Sequence, residues 1–218
     1  MCSSDLCALA ILGSGLLDGL DGKVAWLTGT SSEFGVQYDS LADLVAFGVT
    51  PAMLVYFWKL QQFGRLGLMA AFLLVACGAL RLARFNVQTK VISKKFFIGL
   101  PIPAQACTLA TLVLFAPYIP EAWMGQPLAI GVLVLAYVLS FLMVSTIRFA
   151  SFKEYGFLKA HPFSSMVTAI LLFVLVASRP RALGFLLFLG YIASGVLYTL
   201  FYLSRRGSKL LRETPKLS

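Results

Sequence analysis

The sequence predicts an all-α protein, a polytopic bundle of transmembrane helices, on three observations. Of its 218 residues 59% are hydrophobic and only 12% charged, and the mean hydropathy is +0.87; soluble domains carry roughly 25% charged residues. The apolar residues gather into runs near the roughly twenty residues a helix needs to cross a bilayer. The basic residues behind the net charge of +9 fall between those runs. Positive loops at a membrane surface explain them, and no nucleic-acid partner is expected.

Apolar length and helix breakers divide the chain into seven segments. The first is Cys7 to about Trp26 and the second about Val36 to Trp58. The third runs from Leu66 to Arg84, the fourth from Ile98 to Tyr118 and the fifth from Pro127 to Phe149. The last two are Pro162 to Ser178 and Arg181 to Leu203. Between the third and fourth, Asn86 to Phe97 is polar and basic enough to lie on the membrane surface.

Counting Lys and Arg by loop puts fourteen on one side and four (Lys59, Arg65, Arg179, Arg181) on the other. The richer side is assigned to the cytoplasm. The apolar run before Asp18, Cys7 to Leu17, has only eleven residues. It is too short to span unaided and lacks the positive region of a signal peptide. We therefore expect a missing N-terminal helix and read residues 1–6 as non-native. Residues 7–204 are read as one membrane domain and 205–218 as a basic cytoplasmic tail.

Inside the apolar background lie four aspartates. Asp18 and Asp21 are three apart, Asp39 and Asp43 four apart, so each pair shares a helix face. The loop count places them toward the cytoplasmic side, within reach of water-soluble substrates. Carboxylates in a membrane are costly unless they meet a cation, water or one another, so such a cluster marks a functional site. Hard oxygen ligands in this number suit Mg2+, Mn2+ or Ca2+ rather than zinc or copper. Two such ions serve displacement at phosphorus, and one carboxylate can take a proton from an attacking hydroxyl. The same cluster also suits a cation carrier, and both readings stand at this point.

Other features are quieter. Cys2, Cys7, Cys77 and Cys107 show no zinc or disulfide spacing and read as small hydrophobes. His161 is the only histidine, which excludes a histidine-rich metal site. The third segment ends in Arg81-Leu82-Ala83-Arg84-Phe85-Asn86, whose arginines either anchor the helix end by snorkelling or clamp an anion. Gly67, Gly78, Ala70, Ala71 and their small neighbours read as packing surface. Tyr118, Trp123, Tyr191, Tyr198 and Tyr202 read as interfacial belt. No Walker loop, dinucleotide fingerprint or hydrolase elbow occurs.

The stretch Asp18-Gly19-Leu20-Asp21-Gly22-Lys23-Val24-Ala25, followed after Trp26 and eight further residues by Gly35-x-x-x-Asp39-x-x-x-Asp43, resembles the signature of the CDP-alcohol phosphatidyltransferases. Ser40 to Pro51, Arg81 to Asn86 and Phe97 to Pro103 are similar to the phosphatidylserine synthase branch. The resemblance implies transfer of a phosphatidyl group from CDP-diacylglycerol to L-serine, with release of CMP. It implies two divalent cations, Mg2+ or Mn2+, held by Asp18, Asp21, Asp39 and Asp43, with Asp43 as general base. Gly22, Ala25 and Gly35 would be small so that the nucleotide can approach. Arg81, Arg84 and Asn86 would bind the diphosphate or the serine carboxylate. A homodimer in a bacterial inner membrane, its site facing the cytoplasm, is also implied. Where the family pattern has arginine this chain has Trp26, which offers phosphate no charged fork. Alternatives are another acceptor, glycerol 3-phosphate or an inositol phosphate, and a divalent-cation carrier.

Overall fold

The computed structural model describes residues 3–28, 33–88, 97–149 and 180–210, with side chains in 19–28 and 200–210 among those left outside the description. Helix α1 is Ser3–Thr28, and α2 is the continuous helical span Glu33–Phe63. Then come α3 (Arg65–Gln88), β1 (Phe97–Ile98), α4 (Ile102–Phe115), α5 (Gln126–Val144), β2 (Arg148–Phe149) and α6 (Pro180–Leu210). Among the described residues the protein is thus helical but for one two-residue antiparallel strand pair. Glu33–Phe63, Arg65–Val87 and Gln126–Val144 are long and apolar enough to cross a membrane; Ile102–Tyr118 and Leu183–Leu197 are shorter apolar helices. The expected Pro162 to Ser178 segment and His161 lie outside the described residues.

Proline and glycine explain the irregular stretches. In α2, residues Leu44–Val49 form a π-helical segment in which the Thr50 N–H reaches back to the Val45 carbonyl. Pro51 follows at once and has no N–H to return to the preceding turn, so a widened turn ahead of it relieves its ring. The Thr50 hydroxyl donates to that same Val45 carbonyl at 2.9 Å. A second π segment, Tyr56–Leu60, is followed by a 3-10 turn, Gln61–Phe63, and then by Gly64, whose φ of 53° turns the chain into α3.

Several segment ends differ from the sequence expectation, and the second helix runs from Glu33 past Trp58 to Phe63. The fourth helix starts at Ile102, not Ile98, because Gly99 takes a φ of 83° and Pro101 an extended backbone; proline also holds its predecessor extended. The fifth stops at Val144, since Ser145 turns extended, and Arg148–Phe149 pairs as a strand with Phe97–Ile98. The third runs past Arg84 to Gln88, which takes Asn86 off the expected surface piece and onto a helix. At the chain ends, residues 3–6 form the first turn of α1, and α6 continues beyond Leu203 to Leu210.

Helix α4 is the axis of the bundle. Ile102, Gln105, Ala106 and every residue from Thr108 to Leu114 are buried, so it is covered on all sides, as expected of an apolar helix inside a bundle. It packs against α1, α2, α3 and α6, while α3 packs along α5. Ile102 itself seats against two glycines: a Cβ on Gly48 of α2 would lie 3.7 Å from its terminal methyl, and one on Gly78 of α3 only 2.8 Å. Small residues at that level let three helices close on one side chain.

At Gly99 an added Cβ would run into the Met143 carbonyl oxygen, and the backbone is left-handed. Gly99→Ala is expected to cost about 2 kcal/mol or more. Gly131→Ala, in α5 with no atom within 4 Å of the new methyl, is expected to be neutral or stabilising by up to about 1 kcal/mol. Thermal melts of the two variants in one detergent check this contrast.

Candidate active site

The first two helices run antiparallel, and one close approach sets their register. A Cβ on Gly15 of α1 would sit 3.7 Å from the Phe47 ring of α2 and 3.9 Å from Cys107 Sγ of α4. Glycine there lets α1 lie close to both partners. Three residues on from Gly15 is Asp18, and four back from Phe47 is Asp43. In antiparallel helices those steps lead the same way, to one face. Asp18 and Asp43 accordingly meet, with carboxylate oxygens within 4.8 Å of each other.

Asp39 lies one turn further along α2. Single carboxylate oxygens of Asp18, Asp39 and Asp43 all fall within 4.8 Å of one another, Asp18 and Asp43 half-buried and Asp39 exposed. Three oxygens from two helices at that separation fit a hard divalent cation, which takes carboxylates and fills its remaining positions with water. Asp21, Gly22, Ala25 and Trp26 ride on the α1 backbone, but their side chains lie outside the described residues. Gly35 stands four residues before Asp39, on the exposed part of α2.

Helix α3 supplies the cationic wall. Arg81 is only 8% exposed, and its charge acts on Asp43 of α2 and on Tyr191 of α6. Its guanidinium carbon lies 5.9 Å from the Phe85 ring centre, and its Nε has no hydrogen-bond partner among the described residues. A buried guanidinium beside a carboxylate cluster is no snorkelling anchor; it faces inward, where an anion can be held. Arg84 is engaged differently, donating from Nη1 to the Val144 carbonyl at 3.3 Å. Asn86 donates from Nδ2 to the Ser40 hydroxyl at 3.0 Å.

Two further residues join the site without a sequence signal for that role. Tyr191, expected in an aromatic belt, is instead half-buried within electrostatic reach of Arg81. Ser40, between the two α2 aspartates, bridges α2 to α3; nothing in its spacing announces that.

The cluster carries a direct prediction. Mn2+ at about a hundred times its dissociation constant should stabilise the protein by about 2.7 kcal/mol, a rise of about 5–10 °C in melting temperature for a chain this size. Asp39→Asn should lose most of that rise while melting normally without metal. Paired melts with and without Mn2+ measure it.

Comparison with known proteins places these features. The family model described as CDP-alcohol phosphatidyltransferase matches residues 3–142. The chain is 46% identical over 145 residues to a Helicobacter pylori protein named CDP-diacylglycerol--serine O-phosphatidyltransferase, covering 66% of this chain and 60% of that one. A Methanocaldococcus jannaschii protein of the same name is 40% identical over 140 residues, covering 64% of this chain and 61% of that one. One from Bacillus subtilis is 38% identical over 141 residues, covering 64% and 72% respectively. The chain thus spans about 60% of the length of the Helicobacter relatives it matches. The matched region holds the aspartates, the Arg81 wall and the axial helix, and the chain belongs to the CDP-alcohol phosphatidyltransferase family.

Proposed function

We propose that this chain transfers the phosphatidyl group of CDP-diacylglycerol to the hydroxyl of L-serine, giving phosphatidylserine and CMP. The observation that carries the reading is the convergence of Asp18 with Asp39 and Asp43 beside a buried arginine. The shared name of the relatives supports serine as the acceptor.

Asp18, Asp21, Asp39 and Asp43 hold two divalent cations, Mg2+ or Mn2+. When bound, such ions neutralise the diphosphate oxygens and stabilise the leaving CMP. Asp43 accepts the proton of the serine hydroxyl. The serine oxygen forms a bond to the phosphorus that carries the diacylglycerol, and the bond from that phosphorus to the bridging oxygen breaks. That oxygen leaves with CMP, and the proton on Asp43 passes to solvent. Arg81 presents its guanidinium to the diphosphate or to the serine carboxylate, and Arg84 and Asn86, which lie on the same helix but reach different neighbours, are further candidates for the same contacts. Gly22, Ala25 and Gly35 leave room for the nucleotide at the backbone.

Three membrane-length apolar helices and the family make this an integral membrane protein. We infer seven membrane segments in a bacterial inner membrane with the site toward the cytoplasm, supported by the fourteen-to-four division of basic residues. A homodimer is carried by the family resemblance.

The test is an acceptor assay on purified protein with CDP-diacylglycerol and Mn2+. Serine is expected to release CMP, and glycerol 3-phosphate and inositol phosphate are not; silence with serine would remove the proposal. Mn2+ uptake into proteoliposomes without nucleotide would favour a carrier instead. Asp43→Asn should lower turnover by at least about a hundredfold while losing less Mn2+ affinity than Asp21→Asn, as expected where loss of a general base outweighs loss of one ligand among several. Asp21→Asn should weaken both; equal loss of metal from the two variants would refute the division of roles.

A further inference from the structure

The half of α2 that bears two of the aspartates has little apolar packing to hold it. Glu33–Asp43 contains no buried residue, and its main neighbour is the π segment Leu44–Val49 that continues it. A π segment breaks the regular α register. Burial therefore fixes the rotation of α2 from Phe47 onward, but not that of the exposed half ahead of it. Asp39 and Asp43 nonetheless face Asp18.

A polar link crosses from the better-anchored frame. Asn86 Nδ2 donates to Ser40 Oγ at 3.0 Å, and Ser40 Oγ in turn donates to the Val36 carbonyl at 3.0 Å. The serine proton is thereby committed, which turns an oxygen lone pair toward the amide. On the helical wheel Ser40 stands about 60° from Asp43 and about 100° from Asp39, so a restraint on Ser40 restrains both. The donor is well placed to hold it: α3 is seated through Gly78 on Ile102 and tied by Arg84 to the end of α5.

We propose that Asn86 is a positioning residue for the cation site. Its hydrogen bond to Ser40 sets the rotation of the Glu33–Asp43 half-helix and thereby the affinity for divalent cations, without Asn86 touching a cation. An amide has two N–H donors and a carbonyl, so this role is compatible with a substrate contact as well. The proposal rests on the reading of the aspartates as cation ligands.

The experiment is Mn2+ titration of the whole chain in detergent, followed by calorimetry or by the electron paramagnetic resonance of free Mn2+. Asn86→Ala and Ser40→Ala should each weaken Mn2+ binding about 3- to 10-fold, the range of one hydrogen bond. The double variant should be no weaker than either single one. Ser40→Thr, which keeps the hydroxyl, should bind as wild type, and saturating Mn2+ should return Ser40→Ala to within about twofold of wild-type turnover. Ser40→Ala removes one half-exposed oxygen, so the test survives if Asn86→Ala misfolds. Multiplying losses in the double variant would overturn the proposal, as would unchanged Mn2+ affinity with a raised KM for lipid or serine. If Asp39→Asn binds Mn2+ as tightly as wild type, the cation reading itself falls, a result distinguishable from failure of the link alone.

Discussion

Mutual repulsion among the Asp18, Asp39 and Asp43 carboxylates is the constraint on which the rest of the structure depends. With oxygens within 4.8 Å, each pair of ionised groups repels by about 4 kcal/mol at an effective dielectric constant near 20. Among the described residues Arg81 supplies a single positive charge against these three negative ones. The arrangement is therefore stable only with protons or cations between the carboxylates, and hard divalent ions are what this donor set accommodates best. A bundle that assembles such a cluster needs rigid support close by.

That support lies one to two turns deeper. Gly15 lets α1 close onto Phe47 and Cys107, and Ile102 seats against Gly48 and Gly78. Together these contacts tie four helices at one level, beneath the aspartates. The π segment ahead of Pro51 separates this packed region from the exposed half-helix that carries Asp39 and Asp43. Carboxylates on an element without buried residues stay open to solvent. Under the proposed role of Asn86, their orientation would depend on a few hydrogen bonds rather than on the core.

Much of this was legible in the residues. The spacing of Asp18, Asp39 and Asp43 placed each α2 carboxylate on one face, and the structure brings them to Asp18; the apolar runs gave the helices. Segment ends were read less well, because a left-handed Gly99 and an extended Pro101 move the start of α4 by four residues from Ile98 to Ile102. Tertiary proximity outside the aspartate motif was not legible. Tyr191 reaches Arg81 across more than a hundred residues of sequence, and Asn86 reaches Ser40 across 46; no local periodicity encodes either. Arg81 was an open choice between anchor and clamp until its burial was known.

In the proposed function, the converging carboxylates with Arg81 behind them form the cation site on which phosphatidyl transfer depends. Anomalous scattering from crystals grown with Mn2+ tests it most directly. The account predicts anomalous peaks between α1 and α2, about 2.1 Å from oxygens of Asp18, Asp39 and Asp43, a distance normal for a small hard cation. Well-ordered aspartates with no peak between them, in crystals of protein that turns over with Mn2+, would contradict it.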